Sequence, residues 1–159
     1  MFTLPQLLEE DWHELNRVLG TLVRASEATT ALLTDKAGFR IAEQGADHSF
    51  DTTSLSALAT GAFMATQAIA GLLDEPNFSN VYQQGERFSI LVSNVDAYSV
   101  LIVIFPSSIS AGAIKFYTDA ALPAIAAQLK CAQDRAPGEG MDLAMLNVAD
   151  TETVFRRRA

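Results

Sequence analysis

Asp51-Thr-Thr-Ser-Leu-Ser-Ala-Leu-Ala-Thr-Gly-Ala-Phe-Met-Ala-Thr-Gln-Ala-Ile-Ala-Gly-Leu-Leu-Asp74 contains no charged residue between its two aspartates. Asp51 or Thr52 can cap a helix here, because a short side-chain oxygen satisfies a backbone N–H that the first turn leaves unpaired. We therefore predict a helix. Apolar residues recur at helical spacing on one face of it, and we assign that face to the core: Leu55, Leu58, Ala59, Ala62, Thr66, Ile69 and Leu73.

The opposite face of this predicted helix is also uncharged. It carries small residues at Ala57, Gly61, Ala65 and Ala68, with Thr60, Met64 and Gln67 beside them. A face in contact with water normally carries Lys and Glu, so this helix is expected to be buried on both sides. The second side could face a membrane, the same domain or another subunit. Scattered Ser, Thr and Gln argue against a membrane span, and we favour a second subunit.

Composition limits what the chain can be. Its 159 residues, 49% hydrophobic, suit one domain with a tail. A net charge of −8 and a pI near 4.6 argue against nucleic-acid binding and favour a basic protein partner. Cys131 is the one cysteine, so a disulfide framework is excluded and a cytosolic location is expected. The N-terminus has no basic n-region and is not interpreted as a signal peptide.

The remaining segments alternate between helical and strand patterns. An amphipathic helix is predicted from Pro5 to about Ala25, with acids early and arginines late. A hairpin follows, whose turn ends at Gly38. Later, Val100–Phe105 is apolar at every position, which predicts a strand buried on both faces. The other predicted elements are strands at Thr30–Asp35, Phe39–Glu43, Phe78–Gln84 and Arg87–Val95, and a helix at Ser110–Cys131 in which Pro123 should make a kink or a new start.

No motif for catalysis is present. The sequence lacks a P-loop, a dinucleotide-binding fingerprint, HExxH and GxSxG. His13 and His48 belong to no paired-carboxylate motif at ligand spacing and are interpreted as surface residues. Cys131 is interpreted as a packed thiol. The sequence thus predicts no catalytic residue, no cofactor and no metal, and the arginines at 156–158 are taken as the solvated end of a tail.

The order αββαβββα resembles the roadblock/dynein light chain family, in particular its bacterial members from gliding-motility polarity systems. The first hairpin carries Leu-Thr-Asp-Lys-Ala-Gly-Phe at 33–39. The resemblance rests on this and several further segments that occur in the same order, rather than on any one of them. It spans roughly residues 7–131, and its other pieces are Phe50–Gly61, Leu72–Phe78, Gln84–Glu86, Val103–Phe105 and Ala111–Gly112. The resemblance implies an α+β fold with a five-stranded antiparallel sheet, the middle helix on one face and the terminal helices on the other.

The resemblance also implies an assembly and a partner. Family members dimerise by pairing third strands and middle helices, which here gives the interface residues Ala57, Gly61, Ala65, Ala68, Val81 and Tyr82. The resembling bacterial members bind a Ras-like GTPase and stimulate its GTP hydrolysis without donating an arginine, whereas other members act only as scaffolds. Both functions stay open for this chain.

The outward residues of two paired middle helices would form one partner surface across the dimer axis, at Thr53, Ser56, Thr60, Met64 and Gln67. One GTPase per dimer is expected on such a shared surface. In the alternative, Met64 fills the seam between the two helices and is not a partner-binding residue. We divide the chain into a domain at 1–131 and a flexible tail at 132–159. The three tail arginines and Pro123 depart from the pattern of the resembling members.

Overall fold

The computed structural model describes residues 6–45 and 50–135. The elements follow the predicted order αββαβββα, which is confirmed. They are α1 (Glu9–Ser26), β1 (Thr30–Asp35), β2 (Arg40–Gly45), α2 (Thr52–Leu72), β3 (Asn80–Gln84), β4 (Phe88–Asn94), β5 (Ser99–Pro106) and α3 (Ala111–Asp134). Pro5, proposed as the start of α1, lies outside the described residues, and α1 begins at Glu9.

The five strands form one sheet in the order β2-β1-β5-β4-β3, and every neighbouring pair is antiparallel. β5 lies at the centre and is buried from Ser99 to Phe105, as its unbroken apolar run predicts. β3 and β2 are the edges. The pairing of β1 with β2 shifts register between Leu33 and Thr34.

Helices cover both faces of the sheet, so there are two cores. On one face, Leu101, Val103 and Phe105 of β5 join a cluster that includes the inward residues of α1 and α3. On the other face, Val100, Ile102 and Ile104 join a smaller cluster with Phe63 of α2. Successive strand residues point to opposite faces, which is why one strand serves both cores. The predicted distribution of helices is confirmed.

The start of α2 follows the prediction, but its rotation does not. Asp51 is the N-cap, and its carboxylate accepts hydrogen bonds from the backbone N–H groups of Thr53 at 3.0 Å and Ser54 at 3.3 Å. The predicted core stripe is wrong for Leu58, Ala62, Ile69 and Leu73, which are all exposed. The residues that α2 buries are instead Thr52, Ser56, Thr60, Phe63 and Ala70.

The size of the side chains explains this rotation. The short residues Ser56 and Thr60 let the helix backbone come close to the sheet, and Phe63 fills the remaining space as one of the largest fully buried side chains. A helix without charged residues has no sequence signal for its solvent-exposed side. A prediction based on hydrophobicity alone therefore assigned the wrong face of α2 to the core.

α3 is longer than predicted. It runs without a break through Pro123, which lies on its exposed side, and ends at Asp134 rather than Cys131. Ala132, which we assigned to the tail, is buried within this helix. Cys131 is exposed, so its assignment as a packed thiol is wrong. Gln133, Asp134 and Arg135 are described as well, whereas residues 136–159 of the predicted tail, and His48, lie outside the described residues.

Candidate interaction surface

The outer face of α2 is apolar and exposed. Leu72 is 85% exposed and Leu58 is 74% exposed, and Met64, Ile69 and Leu73 are exposed as well. No residue of α2 carries a charge. Large exposed apolar patches on a folded protein mark sites that bind another protein, a membrane or a ligand. This face is therefore the candidate functional surface of the chain.

Five residues of this face follow the spacing of a paired-helix seam. Steps of three, four, three and four residues connect Leu58, Gly61, Ala65, Ala68 and Leu72, which we call the α2 seam. Such steps keep one side of a helix against a partner helix. The three middle residues are small, and a Cβ added at Gly61 would meet no atom within 4 Å. Another backbone could therefore approach the middle of α2 closely.

By length and composition alone, Thr52–Leu72 could also cross a membrane, and 22% of its apolar window is buried. Core helices of water-soluble proteins pass the same test. The packing of Phe63 against Leu32 and Ile102 weighs against a span, because a spanning α2 would have to leave the sheet and uncover that core.

The proposed partner-binding residues do not all lie on this surface. Thr53 and Met64 are exposed, as the prediction requires. Ser56 and Thr60 are buried against the sheet, so their assignment as outward residues is wrong. Their hydroxyl groups find no hydrogen-bond partner among the described residues.

Gln67 is half-buried and serves the fold. Its side-chain amide donates to the backbone carbonyl of Phe78 at 3.0 Å and accepts from the N–H of Phe78 at 3.2 Å. These two bonds fasten the second half of α2 to the segment that leads into β3. α2 and β3, the two elements proposed for the dimer interface, are thus held in a fixed position relative to each other.

The edge strand β3 carries the other two proposed interface residues. It pairs with β4 on one side, and its outer side meets no strand of the described chain. Val81 is half-buried against the α2 face of the sheet, whereas Tyr82 is exposed and stacks on Phe105 with ring centroids 6.2 Å apart. An uncovered edge of this kind can accept another strand.

The tip of the β1–β2 hairpin lies against α2. Gly38 has φ +96°, a backbone conformation that glycine adopts without strain, and this confirms the predicted turn. A Cβ at Gly38 would lie 3.1 Å from the Cα of Ala57. The next residue, Phe39, is exposed. No sequence pattern predicts this contact between the turn and α2.

The described residues contain no cluster of three His, Cys, Asp or Glu side chains that could hold a metal ion. His13 is exposed and lies 3.5 Å from Glu9. A shallow depression beside the β3–β4 turn is lined by Gln84, Gly85, Glu86, Ser107 and Ser108. Ser107 hydrogen-bonds to Ser89 at 2.8 Å and donates to the backbone carbonyl of Gly85 at 2.7 Å, and none of the residues lining the depression is a histidine or lysine that could act as a base.

The sequence model of the Roadblock/LC7 domain matches residues 14–105, which is more than half of the chain. Solved structures with the same architecture include an MglB with a tetrameric arrangement, at 27% identity and TM-score 0.77, covering 83% of this chain and 99% of that one. The gliding protein MglB of Thermus thermophilus has 28% identity and TM-score 0.75, covering 82% and 98%. Myxococcus xanthus MglB has 29% identity and TM-score 0.70, covering 74% and 95%. Comparison with curated protein sequences gave no match.

Proposed function

Because the chain belongs to the Roadblock/LC7 domain family, we propose that it is a homodimeric regulator of a Ras-like small GTPase. The regulator and its GTPase would act together in the cytoplasm, in cell polarity or motility. The observation that carries the proposal is the uncharged, exposed face of α2 in a chain similar to MglB proteins.

The α2 seam supports the homodimer. A two-fold axis near Ala65 would run two copies of α2 antiparallel, so that the α2 seam of one copy lies against the α2 seam of the second copy. The small side chains at Gly61, Ala65 and Ala68 would let the helix backbones approach, and Leu58 of each copy would come beside Leu72 of the other. Burying these leucines is favourable by about 2 kcal/mol for each side chain.

The edge strand β3 supports the same arrangement. Its free outer side would pair with β3 of the second copy, joining two five-stranded sheets into one. Gln67 holds α2 to the start of β3, so that the helix and the strand would reach the second copy together. Val81 and Tyr82 would lie on opposite faces of the joined sheet.

A surface shared by two copies of α2 would receive the GTPase. Thr53 and Met64 are the exposed candidates for contact, and Met64 has the flexible thioether that adapts to a partner surface. Such a surface crosses the two-fold axis, so one GTPase would cover it and exclude a second. α2 carries no arginine. Stimulation of hydrolysis by residues of α2 would act by rearranging the GTPase's own residues.

Turnover of GTP by the partner tests this function. The Ras-like GTPase of the same genome would be assayed alone and with this protein, under single-turnover conditions. Faster hydrolysis is expected. Binding without a change in the rate would instead establish the alternative, a scaffold without effect on hydrolysis. The absence of any binding to the GTP-bound form would overturn the proposal.

A further inference from the structure

Phe39 is an exposed aromatic residue on a rigid support. The residue is 71% exposed. Its backbone N–H donates to the carboxylate of Asp35 at 2.9 Å, and its carbonyl accepts from the N–H of Asp35 at 2.9 Å. Asp35 is itself buried and also receives the N–H of Ala37 at 3.0 Å. An aromatic side chain presented on a fixed backbone loses little freedom when it binds, which is typical of residues that dominate interfaces.

The neighbourhood of Phe39 points to what it binds. The contact between Gly38 and Ala57 places the hairpin tip directly on α2. Phe39 is the residue after Gly38, and Leu58 is the residue after Ala57, so both lie at the same end of the α2 seam. The opposite end of α2 is also uncovered, because Leu72 and Leu73 are exposed in the described chain.

We propose that Phe39 of one copy packs on Leu72 and Leu73 of a second copy and so closes both ends of the α2 seam. This inference rests on the proposed homodimer. In an antiparallel pair centred near Ala65, Leu72 of the second copy lies beside Leu58, and the tip that carries Phe39 is next to it. The symmetry repeats the contact at the other end. The most exposed leucine of α2 and the rigid aromatic of the hairpin would then bury each other.

Cross-linking of two different proteins tests this contact. Both carry Cys131→Ser; one also carries Phe39→Cys and the other Leu72→Cys, with different tags. Mild oxidation of the mixture should give a covalent dimer that bears both tags, which a bond within one copy cannot give. A separate protein with Ala65→Cys reports on the seam itself. If Ala65→Cys cross-links and the mixed pair does not, the Phe39 contact is overturned while the homodimer stands. If neither cross-links, both are overturned.

The dissociation constant of the dimer gives a second, independent measurement. Phe39→Ala should raise it roughly tenfold or more, as expected for a buried aromatic anchor. Phe116→Ala is the matched control, because Phe116 is 69% exposed but lies on α3, on the other face of the sheet. Analytical ultracentrifugation would follow both variants, and circular dichroism would verify their folding. Equal dissociation constants for Phe39→Ala, Phe116→Ala and the unchanged protein would refute the proposed contact.

Discussion

Arg135, the residue that follows α3, donates two hydrogen bonds to the buried carboxylate of Asp11 in the first turn of α1. The same carboxylate accepts from Gln128 at 2.6 Å and from the backbone N–H of Leu8 at 2.8 Å. The pair therefore joins the start of α1 to the end of α3. A buried charge is tolerated only when such partners replace water, so each member of the group depends on the others.

Replacing the cation should destabilise the fold. Arg135→Ala leaves the carboxylate of Asp11 buried without its charged partner, and we expect a loss of about 2–4 kcal/mol in the free energy of unfolding. Arg17→Ala is the control, because Arg17 pairs with Glu14 at 2.6 Å on the surface, where water screens the pair and its contribution to stability is small. Urea denaturation at one protein concentration measures both. Similar losses in the two variants would contradict the assigned role of Arg135.

The same pair predicts a pH dependence. Hydrogen bonds from Arg135 are the main reason that the pKa of Asp11 is lowered from 3.8 to about 2, with the bonds from Leu8 and Gln128 adding to the effect against the opposing cost of burial. A lowered pKa means that the ionised pair stabilises the fold above about pH 4, and that this stabilisation of about 2 kcal/mol is lost as the pH falls towards 2. The stability difference between the unchanged protein and Asp11→Asn should shrink over that range in urea titrations, and a constant difference would exclude this linkage.

Two truncations test where the domain ends. A chain that stops after Cys131 loses the last turn of α3 and Arg135, so its melting temperature should fall by several degrees, in line with a loss of about 2–4 kcal/mol. A chain that stops after Arg135 keeps these contacts, and we expect its melting temperature to stay within about 2 °C of the full chain. Scanning calorimetry compares the three proteins. A large decrease for the longer truncate would show that residues after Arg135 contribute to the folded domain.

Gly61→Arg should separate folding from dimerisation. A Cβ at Gly61 meets no atom within 4 Å and residue 61 is exposed, so we expect the single domain to accept the arginine, whereas the seam would have to bury an unpaired charge. We expect a folded monomer. Gly112→Arg is the matched control on α3, because a Cβ there also meets nothing within 4 Å. Light scattering with size-exclusion chromatography should show a monomer for the first variant and a dimer for the second. A stable Gly61→Arg dimer would disprove the seam.

Met64→Lys should distinguish the partner surface from the dimer seam. Met64 is exposed on the outer face of α2, beside the residues of the seam. A lysine there should weaken GTPase binding by tenfold or more, on the order of the loss of one central interface residue, and leave the dimer intact. Titration calorimetry on a dimer verified by chromatography gives affinity and stoichiometry. Unchanged affinity, or two GTPases bound per dimer, would be inconsistent with the proposed surface.

The order of the elements could be predicted because the sequence marks their boundaries. Val100–Phe105 is apolar at every position, Gly38 marks the first turn, and Asp51 marks the start of α2. These are local signals, and local signals decide the type of each element. The strand predicted at Phe78–Gln84, which is observed as β3 at Asn80–Gln84, was indicated by the same kind of local signal.

The orientation of α2 could not be predicted from the sequence in this way. Its polar residues are short hydroxyl side chains that can face either a sheet or water, so the buried positions of Ser56 and Thr60 follow from the fit of the helix to the sheet. The bond between Arg135 and Asp11 was missed for a different reason: it connects residues 124 positions apart, and neither residue belongs to a motif. Contacts of this kind depend on the packing of α1 against α3.

The outer strand β2 determines how far the proposed assembly can grow. If two copies pair through β3, then β2 is the last strand at both ends of a joined sheet. β2 carries Arg40 and Glu43, which form an ion pair at 2.5 Å, and its pairing with β1 shifts register between Leu33 and Thr34. Charged side chains and such irregularities discourage the addition of another strand. Polymerisation along the sheet would therefore stop at two copies, and filaments built by strand addition would not form.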